Sequence, residues 1–339
     1  MSWTLLSLEQ EWEWTAALDG LPHACGHTWR YNRAMARSSG HPAFLFVHRG
    51  RTGTAALPFA ERRHAGTVDI YSPYGWSGVA MSGADDSLPN TWRRFAQERG
   101  YVCGYLMMHP ALPLPADFAP SNEVWRQNSA YLLNLTQPLD RMKAAMSTDH
   151  RQRLRQWERL GAELVDDQTE LRQVFLELYP QFAQRIGASA VYHFTVDGLS
   201  ILLESPHVLL LGARKNNEIR AVSLFLHNAD VGEYFLTALR EDGGPHTRAL
   251  IWEAIKRLKA RGVRMFNLGG GIRNGDALAS FKQRFGGHAM EIVVIKQIYN
   301  PERFVDLCAD SGVQPECAGY FPPYRAPAAS TQQKMEVLK

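Results

Sequence analysis

The sequence predicts an α/β chain of two similar lobes, each built on a mixed, mostly antiparallel sheet. Three observations predict it. The order strand, turn, strand, strand, helix, strand occurs over residues 44–108 and again over 208–271. Residues recur in like places, Ala55 with Ala221, Phe59 with Phe225 and Gly100 with Gly262, at offsets drifting by only a few residues, as an internal duplication leaves them. A length of 339 residues suits two ordinary domains or two lobes of one duplicated unit.

In chain order, residues 8–20 and 28–39 read as helices, the second ending before Ser38, Ser39 and Gly40. FLFVHRG, TAALPFAERR and TVDIYS follow as strands, rich in β-branched or apolar residues, and the last runs into YSPYGWSG. A helix from Pro89 to Arg99 is stopped by Gly100, and YVCGYLMM reads as a buried strand. Proline-rich text from His109 to Pro120 marks a boundary, giving a first lobe over 1–120. The second lobe, 121–325, opens with helices near 139–161, 169–186 and 195–204. Strands VLLLGARKN, EIRAVSLFLHNA and VGEYFLTALR, a helix from Arg248 to Arg261 stopped by Gly262, and VRMFNLGGG complete it. The tail 326–339 (APAASTQQKMEVLK) has the composition of a disordered segment.

The stretch richest in chemistry is RMFNLGGGIRNGDALASFKQRFGG, Arg264 to Gly287. A strand runs into three glycines and the polar turn Arg273, Asn274, Gly275; Asp276 then caps a short helix that Gly286 closes. Phe281 and Phe285, four apart, share its apolar face, so Lys282 and Arg284 are held beside a bend where backbone can approach a ligand. Acyl transfer to an amine needs a cation or N–H donors at the developing oxyanion and a proton donor for the leaving group. Lys282 supplies the cation, and the Tyr234 hydroxyl on a neighbouring strand a donor or relay. The turn at Tyr74, Gly75 and Trp76 is either an acceptor-binding turn or a tight turn packed on the core. Arg151, Arg155 and Arg159, spaced by four, form one stripe against the apolar face of Leu154, Trp157 and Leu160, suited to phosphates of tRNA or of a nucleotide-linked acceptor.

Other chemistries find less support. The net charge of +3 permits a polyanionic partner without demanding one, and charged residues at 21% suit a soluble globular chain. No apolar run reaches membrane-span length and the N-terminus carries acids, so a cytoplasmic protein is expected. Cys25, Cys103, Cys308 and Cys317 show no zinc spacing, and His23, Cys25 and His27 in PHACGHTW lack a fourth ligand, so no metal is expected. A glycine-rich pyrophosphate loop of the acyl-CoA type is met only in part by REDGGPHTR, where Arg240 and Gly243 fit and Pro245 removes an amide donor. In the first lobe Asp85 and Asp86 stand where an anion would sit.

These segments together, YSPYGWSG, STDHRQRLRQWERLGAEL, EYFLTALRED, FNLGGG and SFKQRFGG, resemble the Fem-type (FemAB-like) transferases over roughly residues 25–300. That family consists of tandem GNAT-fold (acyl-CoA N-acyltransferase fold) proteins that attach amino acids from aminoacyl-tRNA to peptidoglycan precursors. The resemblance implies two tandem GNAT-like lobes, Lys282 as the active-site lysine that stabilises the oxyanion, and Tyr234 as the tyrosine lining the same site. It implies acceptor-nucleotide ligands at Arg185 and Tyr192. The long coiled-coil insertion of some members is absent here. The resulting expectation is an N-acyltransferase with aminoacyl-tRNA as donor, an amine of a cell-wall precursor or peptide-like molecule as acceptor, and no bound cofactor. The alternatives are acyl-CoA as donor, or a non-catalytic GNAT-like binding module.

Overall fold

The structure, a computed structural model, describes residues 2–115, 117–157, 159, 161–273 and 275–327; the expected tail lies outside the described residues from 328 onward, as do Asn274 of the polar turn and Leu160. In the first lobe, β1 (Ser2–Ser7) leads through α1 (Glu11–Leu18) and α2 (Trp29–Ser39) to β2 (Ala43–Arg49), β3 (Thr54–His64), β4 (Thr67–Tyr71) and the short β5 (Ala80–Ser82). Helix α3 (Leu88–Glu98) then carries the chain across to β6 (Tyr101–Met107). Strands β1 to β4 pair antiparallel in sequence order, whereas β4 and β6 are parallel, as a helical crossover requires.

A long strand, β7 (Val124–Asn134), leaves this lobe. Helices α4 (Leu139–Ala145) and α5 (Thr148–Trp157), the strand β8 (Glu163–Val165), α6 (Gln168–Arg185) and α7 (Val196–Leu203) come next. Strands β9 (Val208–Lys215), β10 (Glu218–His227) and β11 (Val231–Leu239) are antiparallel neighbours, and α8 (Thr247–Ala260) crosses to the parallel β12 (Met265–Gly270). The duplication read from the sequence is thus a repeat of topology. Gly100 and Gly262 follow α3 and α8 with φ of 72° and 81°, the left-handed turn that ends both crossover helices.

Helix α9 (Ala277–Gln283), β13 (His288–Ile298) and α10 (Pro301–Asp310) follow, before a closing segment that runs to 327. Strand β13 lies between β6 and β7, and β7 lies between β13 and β12, so one sheet runs through both lobes. β13 leaves the second lobe on the first-lobe side. Phe304, Leu307 and Cys308 of α10 accordingly pack with Val102 and Cys103 of β6 and with Phe321 and Tyr324. A division at residue 120 is therefore crossed by the C-terminal segment, which lies on the first lobe.

Two cores flank the second-lobe sheet. One face carries Leu154, Leu250, Ile255 and Phe285 from α5, α8 and the end of α9; the other carries Leu171, Phe175 and Leu199 from α6 and α7, joined by Tyr31, Ala34 and Met35 of the first lobe. The expected helix over 139–161 is two helices. Met146 is extended (ψ 151°), and the Arg151 guanidinium takes up the Ala144 and Met146 carbonyls left open at the end of α4.

Candidate active site

Strands β11 and β12 pair only over Val231↔Met265, Gly232↔Phe266 and Glu233↔Asn267. Beyond that point β12 continues against β7, at Gly270↔Ala130, and β11 against β10 up to Leu239. Two parallel neighbours that part in this way open a wedge in the sheet. The register of β10 and β11 passes from Phe225↔Tyr234 to Leu224↔Leu236, so Phe235 is an extra residue in β11. Such a bulge re-aims its neighbours. Phe235 and Leu236 both join the α6/α7 core, while Tyr234 lies against the core under α8 and α9.

The lysine side of the wedge is built by α9. The Asp276 carboxylate accepts from the Ala279 N–H at 2.7 Å and from those of Ile272 at 2.7 Å and Arg273 at 2.9 Å, closing the bend onto the helix start. Phe285 is fully buried and Phe281 packs beside it, which anchors α9. Gly269 takes φ 72°, which favours glycine, and a side chain there would begin 3.1 Å from Lys282 Nζ and press on the ammonium. Lys282 is 8% exposed; its Nζ donates to the Gly270 carbonyl at 2.7 Å and lies 5.9 Å from the centre of the Tyr234 ring. Burial brings the Lys282 ammonium down to about 8, against the opposing pull of Asp276. Burial pushes the Tyr234 hydroxyl up to about 12, partly offset by Thr237 and Ser223, so it remains a protonated donor at neutral pH.

Where β11 and β12 last pair, on the face of the sheet opposite Tyr234, lie residues that the sequence patterns did not single out. Glu233 and His109, 124 positions apart and both buried, meet with Nε2 3.1 Å from Oε1. His109 Nδ1 accepts the Ala111 N–H at 3.0 Å, so the neutral ring carries its proton on Nε2 and donates it to the carboxylate. Asn267, paired with Glu233 in the sheet, uses Oδ1 to accept the Gly269 N–H at 2.8 Å; its Nδ2 is buried with no hydrogen-bond partner among the described residues. The available signals were an acid inside the apolar run VGEYFLTAL and an amide inside MFNLGG.

Tyr74 lies on the same side. Its ring meets those of Tyr192 and Phe194 at 5.3 Å and of Phe235 at 5.6 Å, and the Tyr31 hydroxyl donates to its carbonyl. Gly75, with φ 95°, passes so close to the Tyr31 hydroxyl that a side chain would collide with it. The turn is therefore packed between lobes, with Tyr74 and Tyr192 brought together across them. Trp76 packs elsewhere, against Ala130, Leu132, Ile292 and Val294 of the central strands.

The remaining candidates lie apart from the wedge. Arg185 donates to the Leu239 carbonyl and stacks on Phe182. Arg151 is engaged at the end of α4, Arg155 is exposed on α5, and Arg159 lies beyond the end of that helix, so the three do not form one open stripe. Arg284 is exposed, 4.0 Å from Asp149. In the loop before α8, the Gly243 N–H donates to Arg240 and the His246 N–H to Gly243, while Trp157 donates to His246 Nδ1 at 2.9 Å. At the start of α3 the Asp85 carboxylate is hydrogen-bonded by the Ser87 N–H at 2.9 Å. His27 is buried, with its Nδ1 against the Ala24 N–H, and burial with the charge of Glu233 pushes the Cys25 thiol well up. Among the described residues no group of three or more His, Cys, Asp or Glu side chains is placed to hold a metal, and no helix is long and apolar enough to cross a membrane.

A family model described as an acetyltransferase (GNAT) domain matches residues 144–282. No curated protein matches the chain in sequence. Among solved structures the chain is similar to FemX, with a TM-score of 0.64 and 11% identity over 91% of this chain and 99% of that one. It is similar also to L-PGS from Bacillus licheniformis (TM-score 0.56, 13% identity, 85% of this chain and 91% of that one). A conserved protein of unknown function from Bacteroides thetaiotaomicron gives a TM-score of 0.60 at 8% identity, over 88% and 99% of the two chains. Residues 144–282 thus carry a GNAT domain, within a chain whose whole fold is the Fem-like tandem GNAT fold.

Proposed function

We propose that this protein is an N-acyltransferase that moves an aminoacyl group from aminoacyl-tRNA to the amine of a cell-wall precursor or peptide-like acceptor. The observation that carries the reading is the buried Lys282 ammonium at the glycine bend, beside a wedge at whose apex the Glu233–His109 pair lies. The acceptor amine enters as the neutral amine from the Tyr74–Tyr192 side. Its nitrogen attacks the ester carbonyl and, as the bond forms, passes its surplus proton to the Glu233 carboxylate, which His109 orients; the carbonyl oxygen becomes an oxyanion stabilised by Lys282. The carbon–nitrogen bond forms, the bond to the terminal ribose oxygen breaks, and that oxygen takes a proton from Lys282. An ammonium near 8 is acidic enough to give the proton and basic enough to stay charged at neutral pH. Tyr234 holds the ammonium over its ring and donates from its hydroxyl. No covalent enzyme intermediate is needed.

The tRNA donor is favoured over acyl-CoA by the loop before α8, whose amides are partly engaged within the loop and whose Pro245 has none to give. A cytoplasmic setting belongs to the same proposal. The test offers purified protein labelled aminoacyl-tRNAs or labelled acyl-CoAs, with an extract of cell-wall precursors and small amines as acceptor. RNase-sensitive transfer that is lost in Lys282→Ala is the expected result. Transfer from acyl-CoA alone would overturn the assignment of the donor, and transfer undiminished in Lys282→Ala would overturn the assignment of the site.

A further inference from the structure

Three guanidinium groups converge beside the lysine helix with little to neutralise them. Arg248, in the first turn of α8, lies over the Phe281 ring of α9 at 5.4 Å, and its Nε is buried with no hydrogen-bond partner among the described residues. Arg284 follows α9, and Arg153 comes from α5. Both are near enough to Arg248 for their charges to act on it, and the same burial and repulsion pull its guanidinium below the ordinary range without discharging it. Asp149 is the acid they share, 2.8 Å from Arg153 Nε and 4.0 Å from Arg284 Nη1. His150, between them, is brought down to about 4 by burial and by Arg248, so it adds no charge at neutral pH. Three cations therefore face one carboxylate.

Holding like charges together costs stability unless an anion completes the set. A guanidinium with a buried, unpartnered Nε is suited to a phosphate oxygen. Arg284 caps the helix that carries Lys282, so an anion held here lies about one helix width from the lysine. This differs from the arginine stripe expected on α5, of which Arg151 is spent on carbonyls.

We propose that Arg153, Arg248 and Arg284 form a phosphate-binding site that holds a backbone phosphate near the aminoacylated end of the donor. The choice of RNA rests on the acyl-transfer reading above; the affinity for phosphate does not. The site joins α5, α8 and α9, so its occupation also fixes the helix that carries Lys282.

The test measures binding, by fluorescence anisotropy across a salt series, of deacylated tRNA and of CoA to the full chain. Arg153→Ala and Arg284→Ala change exposed side chains and leave the fold intact; Arg248→Lys keeps charge but removes the fork. Each is expected to weaken tRNA binding roughly five- to tenfold. The two alanine variants should also lower the slope of log affinity against log salt by about 0.7–0.9. Asp149→Asn, which removes the opposing carboxylate, should tighten binding. Arg94→Ala on α3 is the control for general charge. If CoA binds and the variants weaken it while tRNA does not bind, the phosphate site stands and its ligand is CoA. tRNA and CoA binding that both ignore Arg153 and Arg284 would overturn the proposal, even with transfer still dependent on Lys282. Arginine-dependent tRNA binding without transfer from any donor would instead count against the catalytic reading alone.

Discussion

Lys282 carries two pH dependences of opposite sense. Its ordinary value is 10.5 and burial brings it to about 8, so between these values the unfolded chain holds a proton that the folded chain has released. Stability must then rise with pH across that window. Thermal unfolding of the wild type and of Lys282→Met is expected to show the wild type gaining on the variant from pH 8 to 10.5; a constant difference would mean that the lysine does not titrate in the fold. Activity runs the other way, because the charged form meets the oxyanion. The transfer rate should fall as pH rises through about 8, and Lys282→Arg, which does not titrate there, should lose that limb. Glu233 makes a separate prediction. Glu233→Gln keeps the shape and removes the proton acceptor, so kcat should drop roughly 100-fold with KM little changed. A loss confined to KM would make Glu233 a binding residue.

At the scale of elements, α9 depends on one carboxylate with two duties. Asp276 receives three backbone N–H groups and also supports the charge of Lys282. Asp276→Ala should cost about 0.5–2 kcal/mol, read from urea denaturation. Asp276→Asn keeps an acceptor but not the charge, so the alkaline limb of the rate should move to lower pH than in the wild type. This helix was legible because its information is local: cap, paired phenylalanines and closing glycine stand within ten residues of one another. The wedge partner was not. Glu233 and His109 are 124 positions apart, and nothing in either segment names the other. β7 was also missed, since its first half is only partly buried and mostly polar and its pairing partners are the distant β12 and β13. The helical stretch expected over 139–161 divides at Met146, where the backbone is extended and Arg151 takes up open carbonyls, a side-chain contact that periodicity does not record.

At the scale of the whole molecule, the duplicated order of strands foretold two lobes but not how they join. The join is made by β7 and β13, which lie side by side and pair outward with opposite lobes, β7 with β12 and β13 with β6. Neither lobe's sheet ends at an open edge there, and the described chain's last helix, α10, returns to cover β6. Such a seam couples the lobes mechanically. Phe304, buried on α10, fills the first-lobe side, and Phe304→Ala should destabilise by about 3–5 kcal/mol. With the sheet continuous, that loss is expected to move the unfolding of both lobes together. Tryptophan fluorescence weighted to the first lobe through Trp14 and Trp92 should give the same urea midpoint as far-UV circular dichroism, in variant and wild type alike. Two separated midpoints in the variant would show that the seam transmits no stability, and that the wedge in the second lobe is held open by its own helices alone. Coincident midpoints would mean that Tyr74, contributed by one lobe, and Tyr192, contributed by the other, are kept in register by the same strands that bound the wedge.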